Sequence, residues 1–220
     1  MPNVREKKRV TPYALLLAGF DYSNAAEDEF NDWYDTEHIP ERLGVQGFIN
    51  AQRWVSENGS KIALATYDLE SLSVLQDPAY TTRKGAARTP WSKRIGRKAQ
   101  LTCRLVGEQL VPGQKAAPDG AGGLLMFAAN VKPEAEAEFN AWYNEEHLPA
   151  LSAVPGCLCA RRFKTTEGAP AYVALYHVSD PAVIRSDAWQ AAVNTPWTMR
   201  IRPQMSDEMR LLLRSYSRKN

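Results

Sequence analysis

The chain has 220 residues, of which 44% are hydrophobic, so it can form one large domain or two domains of about 100 residues each. Lys and Arg number 27 against 25 Asp and Glu, which leaves a net charge of +2. This near balance gives no reason to expect nucleic acid, a membrane surface or an acidic protein as the main partner.

The N-terminal residues 1–10 are basic and lack periodicity, and we expect them to form a flexible lead. The apolar run from Tyr13 to Phe20 is too short for a membrane helix. Asp21 follows this run, where a secretory signal would have a small-residue cleavage site. These features predict a cytoplasmic protein.

Residues 11–110 predict a first set of elements in the order strand, helix, strand, strand, helix, strand. The helix has a Ser-Asn start at Ser23 and an end near Pro40 and Gly44. An Asn-Gly-Ser turn separates the second and third strands. The predicted segments are strand 13–21, helix 23–44, strands 48–57 and 61–70, helix 71–87 and strand 99–109.

Residues 111–123 are rich in Gly, Pro and Ala and have the composition of a linker. Residues 124–220 then predict the same order of elements again. The motif Phe-Asn-x-Trp-Tyr-x-x-Glu-His-x-Pro occurs at 30–40 and, 109 residues later, at 139–149. Thr-Pro-Trp recurs at an offset of 106, which one short loop deletion explains. The sequence therefore predicts two tandem repeats.

Each repeat has the β-α-β-β-α-β order of a ferredoxin-like fold, in which helices cover one face of an antiparallel sheet. The other face of each sheet is left bare. Two such faces in one chain can cover each other, so we expect an α+β protein whose two repeats pack sheet to sheet as a pseudo-dimeric α+β barrel.

The repeated motif places Phe30, Trp33, Tyr34, Glu37 and His38 on one face of its helix. Aromatic residues at this spacing are typical of a core, but a carboxylate on that face requires a partner. His38 is adjacent, and Arg53 and Arg162 on the following strands are alternative partners for the two glutamates. Alternatively, the helix end unwinds and leaves Glu and His at the mouth of a cavity.

Two of the three histidines, His38 and His147, end the two motif copies. A histidine at a helix end is often only a cap or a core residue. Duplication copies structural and functional residues alike, so repetition alone does not separate these interpretations.

The ending Trp-Tyr-x-x-Glu-His-x-Pro on a ferredoxin-like unit resembles the EthD-like members of the dimeric α+β barrel superfamily. The resemblance covers nearly the whole chain, once per repeat. It implies two units packed sheet to sheet, each with a small cavity between sheet and helices for an apolar or aromatic ligand. The superfamily includes cofactor-free decarboxylases, cyclases, dehydratases, isomerases and monooxygenases, haem-handling enzymes and proteins of no known activity.

By that resemblance, His38 and His147 are the general acid/base residues, and Glu37 and Glu146 fix their tautomers. Aromatic side chains of the same helices, and a Trp and an Arg from each Thr-Pro-Trp segment, are candidates for substrate binding. These substrate-binding candidates are Trp33, Tyr34, Trp142, Tyr143, Trp91, Trp197, Arg94 and Arg200. The alternative for the Thr-Pro-Trp segments is simple packing with a surface arginine.

The sequence contains no metal-ligand spacing and no nucleotide-binding motif, so we expect neither a metal nor another cofactor. The three cysteines, Cys103, Cys157 and Cys159, predict free thiols in strands. Residues 83–98 carry basic and no acidic side chains, which indicates either a solvated face or steering of an anionic substrate.

Three hypotheses follow. The first is a cofactor-independent lyase, isomerase, cyclase or decarboxylase acting on an aromatic or polyketide-like molecule. The second is a protein of the same fold that binds haem or a small hydrophobic ligand without turnover. The third is that the motif only packs helix on sheet. A homodimer is a further expectation, because related barrels often associate.

Overall fold

The computed structural model describes residues 11–218; the predicted lead at 1–10 lies outside the described residues. The protein is a mixed α/β protein in which eight antiparallel strands form a closed barrel with helices around it. The strands are β1 (Ala14–Asp21), β2 (Phe48–Ser56), β3 (Ile62–Leu69), β4 (Gln100–Val111), β5 (Gly123–Val131), β6 (Cys157–Glu167), β7 (Tyr172–Val178) and β8 (Met205–Ser215).

The helices occur in the same order before and after residue 112. They are α1 (Glu27–Trp33), α2 (Ile39–Leu43), α3 (Pro78–Thr81), α4 (Pro90–Lys98), α5 (Glu136–Trp142), α6 (Leu148–Ser152), α7 (Asp187–Val193) and α8 (Pro196–Ile201). Helix α1 begins at Glu27 with no side-chain cap, so the expected start at Ser23 is wrong. The expected helix 71–87 consists of short separate turns around α3, because Pro78 and Gly85 interrupt it. Below, "first half" means residues 14–111 and "second half" means residues 123–215.

The strand order around the barrel is β1-β3-β2-β8-β5-β7-β6-β4. Strand β8 of the second half pairs with β2, and β4 of the first half pairs with β6. Each half therefore lends its last strand to the other half, and these two pairings close the sheet. Closure removes the free edges that an open sheet would expose.

Alternate residues of every strand point into the barrel, where they form one apolar core. All eight strands contribute to it, which identifies this cluster as the interior of the barrel. Its members include Leu15, Leu17, Trp54, Leu64, Leu105, Leu124, Met126, Phe163, Leu175 and Leu213. Two other buried clusters lie between the outer face of the barrel sheet and the helices, one in each half.

A fully buried ion pair crosses the barrel interior. Arg161 Nη1 donates to Asp68 Oδ1 over 2.6 Å, and both side chains are at most 2% exposed. His177 lies nearby with its ring edge-on to Trp54 and is wholly buried. Burial, with Arg161 as a smaller cause, lowers the pKa of His177 well below its usual value, so this imidazole is neutral.

The segment predicted as a linker lies across one end of the barrel. The backbone N–H of Ala117 donates to Asp68 Oδ2 over 2.6 Å, and the carbonyl of Lys115 accepts from Arg161. Gln52 donates to the carbonyl of Pro118 over 2.8 Å. The segment thus supplies backbone hydrogen-bond partners to buried polar side chains. Its linker composition did not predict this structural role.

Each copy of the motif contains one π-helical turn between two α-helical segments. In the first copy the turn covers Tyr34–His38, and the N–H of Ile39 donates to the carbonyl of Tyr34, five residues earlier. Pro40 has no N–H and cannot donate to the carbonyl four residues before it, which favours the wider turn here. The helix continues through the proline to Leu43, close to the predicted end at Gly44.

The wide turn places each motif histidine over the tryptophan five residues earlier. The rings of His38 and Trp33 stack with centroids 4.4 Å apart, and those of His147 and Trp142 stack at 4.2 Å. In a regular α-helix, side chains five positions apart point in directions that differ by about 140°. The π turn thus aligns the imidazole with the indole.

The motif glutamates join this helix to the helix that begins at Thr-Pro-Trp. Glu37 Oε1 accepts hydrogen bonds from Thr89 Oγ1 at 2.6 Å, Ser92 Oγ at 2.9 Å and Trp33 Nε1 at 3.1 Å. Thr89 also accepts from the backbone N–H of Ser92 as the N-cap of α4. We call this set of contacts the helix clamp.

The second half has a matching clamp. Glu146 Oε1 accepts from Thr195 Oγ1, and Trp142 Nε1 donates to Thr198 Oγ1 at 3.2 Å. The expectation that Arg53 or Arg162 would pair with these glutamates is wrong, because both arginines bind other side chains of the motif helix instead.

Those arginines recognise the motif asparagines. Arg53 Nη2 donates to Asn31 over 2.6 Å and Nη1 donates to Asp35 over 2.8 Å. Arg162 Nη2 donates to Asn140 over 2.6 Å. The Asn of Phe-Asn-x-Trp-Tyr thus has a structural partner on the sheet in both halves.

Within residues 11–218, no helix has both the length and the apolar character needed to cross a membrane.

We expect Glu37→Leu to lower the free energy of unfolding by about 2 kcal/mol, because two hydroxyl donors lose their acceptor. Glu37→Gln keeps the accepting oxygen and should lower it by less than about 1 kcal/mol. Urea denaturation measures both values. The exposed Glu145, which lies in the other π turn, provides the control Glu145→Leu, and an equal loss in this control would contradict the clamp.

Candidate functional site

The second half contains a cavity of about 480 Å³ between the outer face of its sheet and helices α5 to α8. Five aromatic side chains line its walls. They are Phe127, Trp142, Tyr143, Tyr176 and Trp189. Leu125, Leu151, Val193 and Met205 add aliphatic surface. This volume and composition are typical of a site for a small organic ligand.

His147 lines this cavity and is 8% exposed. Its ring stacks on Trp142 and meets the edges of Tyr143 and Tyr176, with centroids 5.2 and 6.5 Å away. Its Nδ1 is buried and has no hydrogen-bond partner among the described residues. Since Nδ1 faces the packed side, Nε2 is the nitrogen through which the ring can exchange a proton with a ligand.

Burial lowers the pKa of His147 to about 3, and the nearby Arg202 contributes further in the same direction. The imidazole is therefore neutral in the empty cavity at any ordinary pH. Burial also raises the pKa of Tyr143 to about 12 and that of Tyr176 well above its usual value. Both phenols are protonated and can donate a hydrogen bond.

Charged side chains lie at the mouth of the cavity. Arg202, Glu208 and Arg210 are exposed and belong to the cavity lining. The two arginines can hold an anionic group of a ligand whose aromatic part lies deeper. Sequence reasoning missed these residues, as well as Tyr176 and Trp189, because they lie on β7, α7, β8 and the turn after α8 and carry no local motif.

Of the candidates in the second half, the structure brings Trp142, Tyr143 and His147 to this cavity. Glu146 is bonded to Thr195 in the helix clamp and is not part of the lining. Trp197 Nε1 donates to Glu138 on the exposed side of α8. Arg200 is exposed and lies 3.7 Å from the same carboxylate.

The corresponding residues of the first half are as buried as those of the second half. Trp33 and Tyr34 are at most 4% exposed and belong to the core under the helices. Trp91 packs against the same core. Arg94 is exposed and pairs with Glu29 at 2.8 Å, so the structure places it on the surface of α4.

His38 has the same stacked geometry as His147, and burial lowers its pKa to about 3, with Arg42, Arg53 and Arg88 as further causes. Its surroundings differ from those of His147. Where Leu151 lines the cavity of the second half, the first half has Arg42, 109 residues earlier.

No protein-family model matches the chain, and no curated protein sequence matches it. Solved structures do resemble it. A proposed monooxygenase from Fusobacterium nucleatum is 12% identical, with 93% of each chain covered and a TM-score of 0.67. An anthrone oxidase-like protein is 12% identical over 93% of this chain and 92% of its own, with a TM-score of 0.61.

A chlorite dismutase from Candidatus Nitrospira defluvii is 12% identical over 93% of this chain and 91% of its own, with a TM-score of 0.56. At such low identity these similarities show the fold alone. The fold that they share with this chain is the dimeric α+β barrel.

Proposed function

We propose that the cavity of the second half is the active site of a cofactor-independent enzyme of the lyase or isomerase type, acting on an aromatic or polyketide-like small molecule. One observation carries the proposal: His147 lines an aromatic cavity, and no hydrogen bond to a described residue engages its ring. Such a ring is free to exchange a proton with a ligand.

The cavity walls favour a flat, partly apolar substrate. Trp142, Tyr143, Tyr176 and Trp189 offer ring faces and edges for stacking. The hydroxyl of Tyr176 is buried beside Tyr143, whose phenol contributes to its raised pKa, and it makes no well-aligned hydrogen bond with a described residue. It can therefore donate to a substrate carbonyl or phenol oxygen and fix the orientation of the ring.

In the proposed reaction, Nε2 of His147 takes a proton from an acidic C–H or O–H of the substrate, and the electron pair stays on the substrate as an enolate or phenolate. The pKa of His147 in the empty cavity is about 3. This transfer therefore requires the new anion to remain beside the imidazolium as its counterion. Arg202 and Arg210 add positive charge near that anion. Return of the proton to a different atom completes an isomerisation.

We infer that the two halves are tandem ferredoxin-like repeats, 11–110 and 124–220, joined by 111–123, and that each serves as the other's partner in a pseudo-dimer. The support is the repeated motif and the matching order of elements. Within the superfamily we assign the chain to the EthD-like proteins on the basis of the Trp-Tyr-x-x-Glu-His-x-Pro ending. Glu37 and Glu146 then act as positioning residues through the helix clamp.

The second candidate is binding of haem or a small hydrophobic ligand without turnover. A histidine that binds iron usually donates its other ring N–H to a carboxylate or a carbonyl. Nδ1 of His147 has no such acceptor among the described residues, and the nearby carboxylate of Glu146 is bonded to Thr195. The residues present therefore do not fit an axial haem ligand, and a small organic ligand is favoured.

Anthrone tests the proton transfer because it is flat, aromatic and enolisable. We expect the protein to accelerate deuterium incorporation at its acidic methylene carbon in D₂O, measured by NMR. His147→Asn should reduce the protein-dependent rate by about 100-fold or more. His38→Asn is the matched control and should leave the rate within about twofold. Equal rates in wild type and His147→Asn would contradict the role of His147.

The buried histidines also predict a pH dependence of stability. Their folded pKa lies below the unfolded value of about 6.5, so the unfolded state binds more protons as pH falls below that value. Between pH 6.5 and 5, each of them should lower the free energy of unfolding by about 1.5 kcal/mol. His147→Asn should reduce the loss in this pH range by that amount, measured by urea denaturation at each pH.

The control for this series is stability above pH 7, where all three histidines are neutral in both states. The pH dependence of the variant and the wild type should run in parallel there. An unchanged slope between pH 6.5 and 5 in His147→Asn would contradict a neutral, buried His147.

A further inference from the structure

The first half differs from the second at one position of its short helix after the π turn. Arg42 on α2 stands where Leu151 stands on α6, and Leu151 is part of the aromatic cavity. The neighbouring positions are similar: His38 corresponds to His147. One substitution thus places a cation where the other half has an aliphatic wall.

Arg42 is only 7% exposed, yet it makes no ion pair and no side-chain hydrogen bond among the described residues. Its Nη1 is fully buried without a partner. A buried cation without an anion is strongly disfavoured, because desolvation is not compensated. The described protein residues therefore provide no anion for this cation.

Two more polar atoms near Arg42 also lack partners among the described residues. They are the hydroxyl of Tyr67, whose residue is 2% exposed, and Nδ1 of His38. Phe48 packs on both Tyr67 and Tyr80, with ring centroids 5.9 and 5.8 Å away, and Arg42 lies over Tyr80. The charge of Arg42 also contributes to the pKa shifts of His38 and Tyr67. A phenol and an imidazole that face a guanidinium are suitable donors for the oxygens of an anion.

The surrounding charges are also positive. The guanidinium of Arg42 lies 5.0 Å from the ring centre of Tyr80, and Lys84 Nζ lies 4.0 Å from the same ring. The charge of Arg88 reaches His38 as well. Lys84 and Arg88, which both belong to the basic run 83–98, therefore lie near these groups. The ring of Tyr80 attracts these cations but offers them no anionic oxygen.

We propose that the first half holds a second binding site, for a small oxyanion such as a carboxylate or a phosphate, formed by Arg42 and Tyr67 beside His38. Arg42 provides the charge and Tyr67 a hydroxyl donor. The two halves then have different roles: the second binds an aromatic molecule, and the first binds a small anion.

Thermal unfolding at constant ionic strength tests the proposal, with sodium acetate or sodium phosphate replacing sodium chloride. Near tenfold saturation, the bound anion should raise the midpoint of the wild type by about 3–6 °C. Arg42→Leu introduces the residue that the second half already accommodates, and it should abolish the rise. Tyr67→Phe removes one hydroxyl and should weaken anion binding, measured calorimetrically, by about tenfold.

Arg97→Leu is the matched control, because Arg97 is an exposed arginine of the same basic run. It makes the same change of charge and should leave the rise intact. An equal rise in Arg42→Leu, or a loss of the rise in Arg97→Leu, would show a general salt effect and overturn the proposal. So would the absence of any rise with both anions in the wild type.

Discussion

A proline that cannot donate a hydrogen bond determines the geometry of both motif helices. Pro40 and Pro149 follow a π turn, and this turn stacks each histidine on a tryptophan. The same turn leaves the preceding glutamate in reach of the Thr-Pro-Trp helix. The stacking of the imidazole on the indole and the clamp therefore share one local constraint, which explains why the motif residues occur together.

The two halves share this helix geometry, but the side chains around the histidine differ. In the second half, aliphatic and aromatic side chains leave a cavity of about 480 Å³ in front of His147. In the first half, Arg42 lies among the same elements with a charge that the described protein residues do not neutralise. Because the backbone order is the same in both halves, the difference in chemistry depends on a few side chains. The two halves thus share packing residues and differ in the residues that surround the histidine.

The order of strands and helices was predictable, because runs of buried strand residues are local signals in the sequence. The 109-residue offset then shows the same order a second time. The partners of Glu37 were not, since Thr89 and Ser92 lie more than 50 residues away and sequence spacing says nothing about which helix packs on which. The π turn was also missed, because a regular 100° rotation was assumed through Pro40. Arg94 and Arg200 follow the conspicuous Thr-Pro-Trp segments but point to solvent. The cavity residues on β8 carry no motif at all, so only the fold brings them together.

The segment across the barrel end affects how this chain can be rearranged. Its backbone binds Asp68 and Arg161, one from each half. New termini introduced near Lys115 by circular permutation would therefore expose a buried ion pair as well as cut a connection. The turn at Asn58 and Gly59 is exposed and joins β2 to β3 within one half, so termini placed there would leave the interior polar contacts intact. The join between the halves is thus a structural part of the barrel and the less suitable place to open the chain.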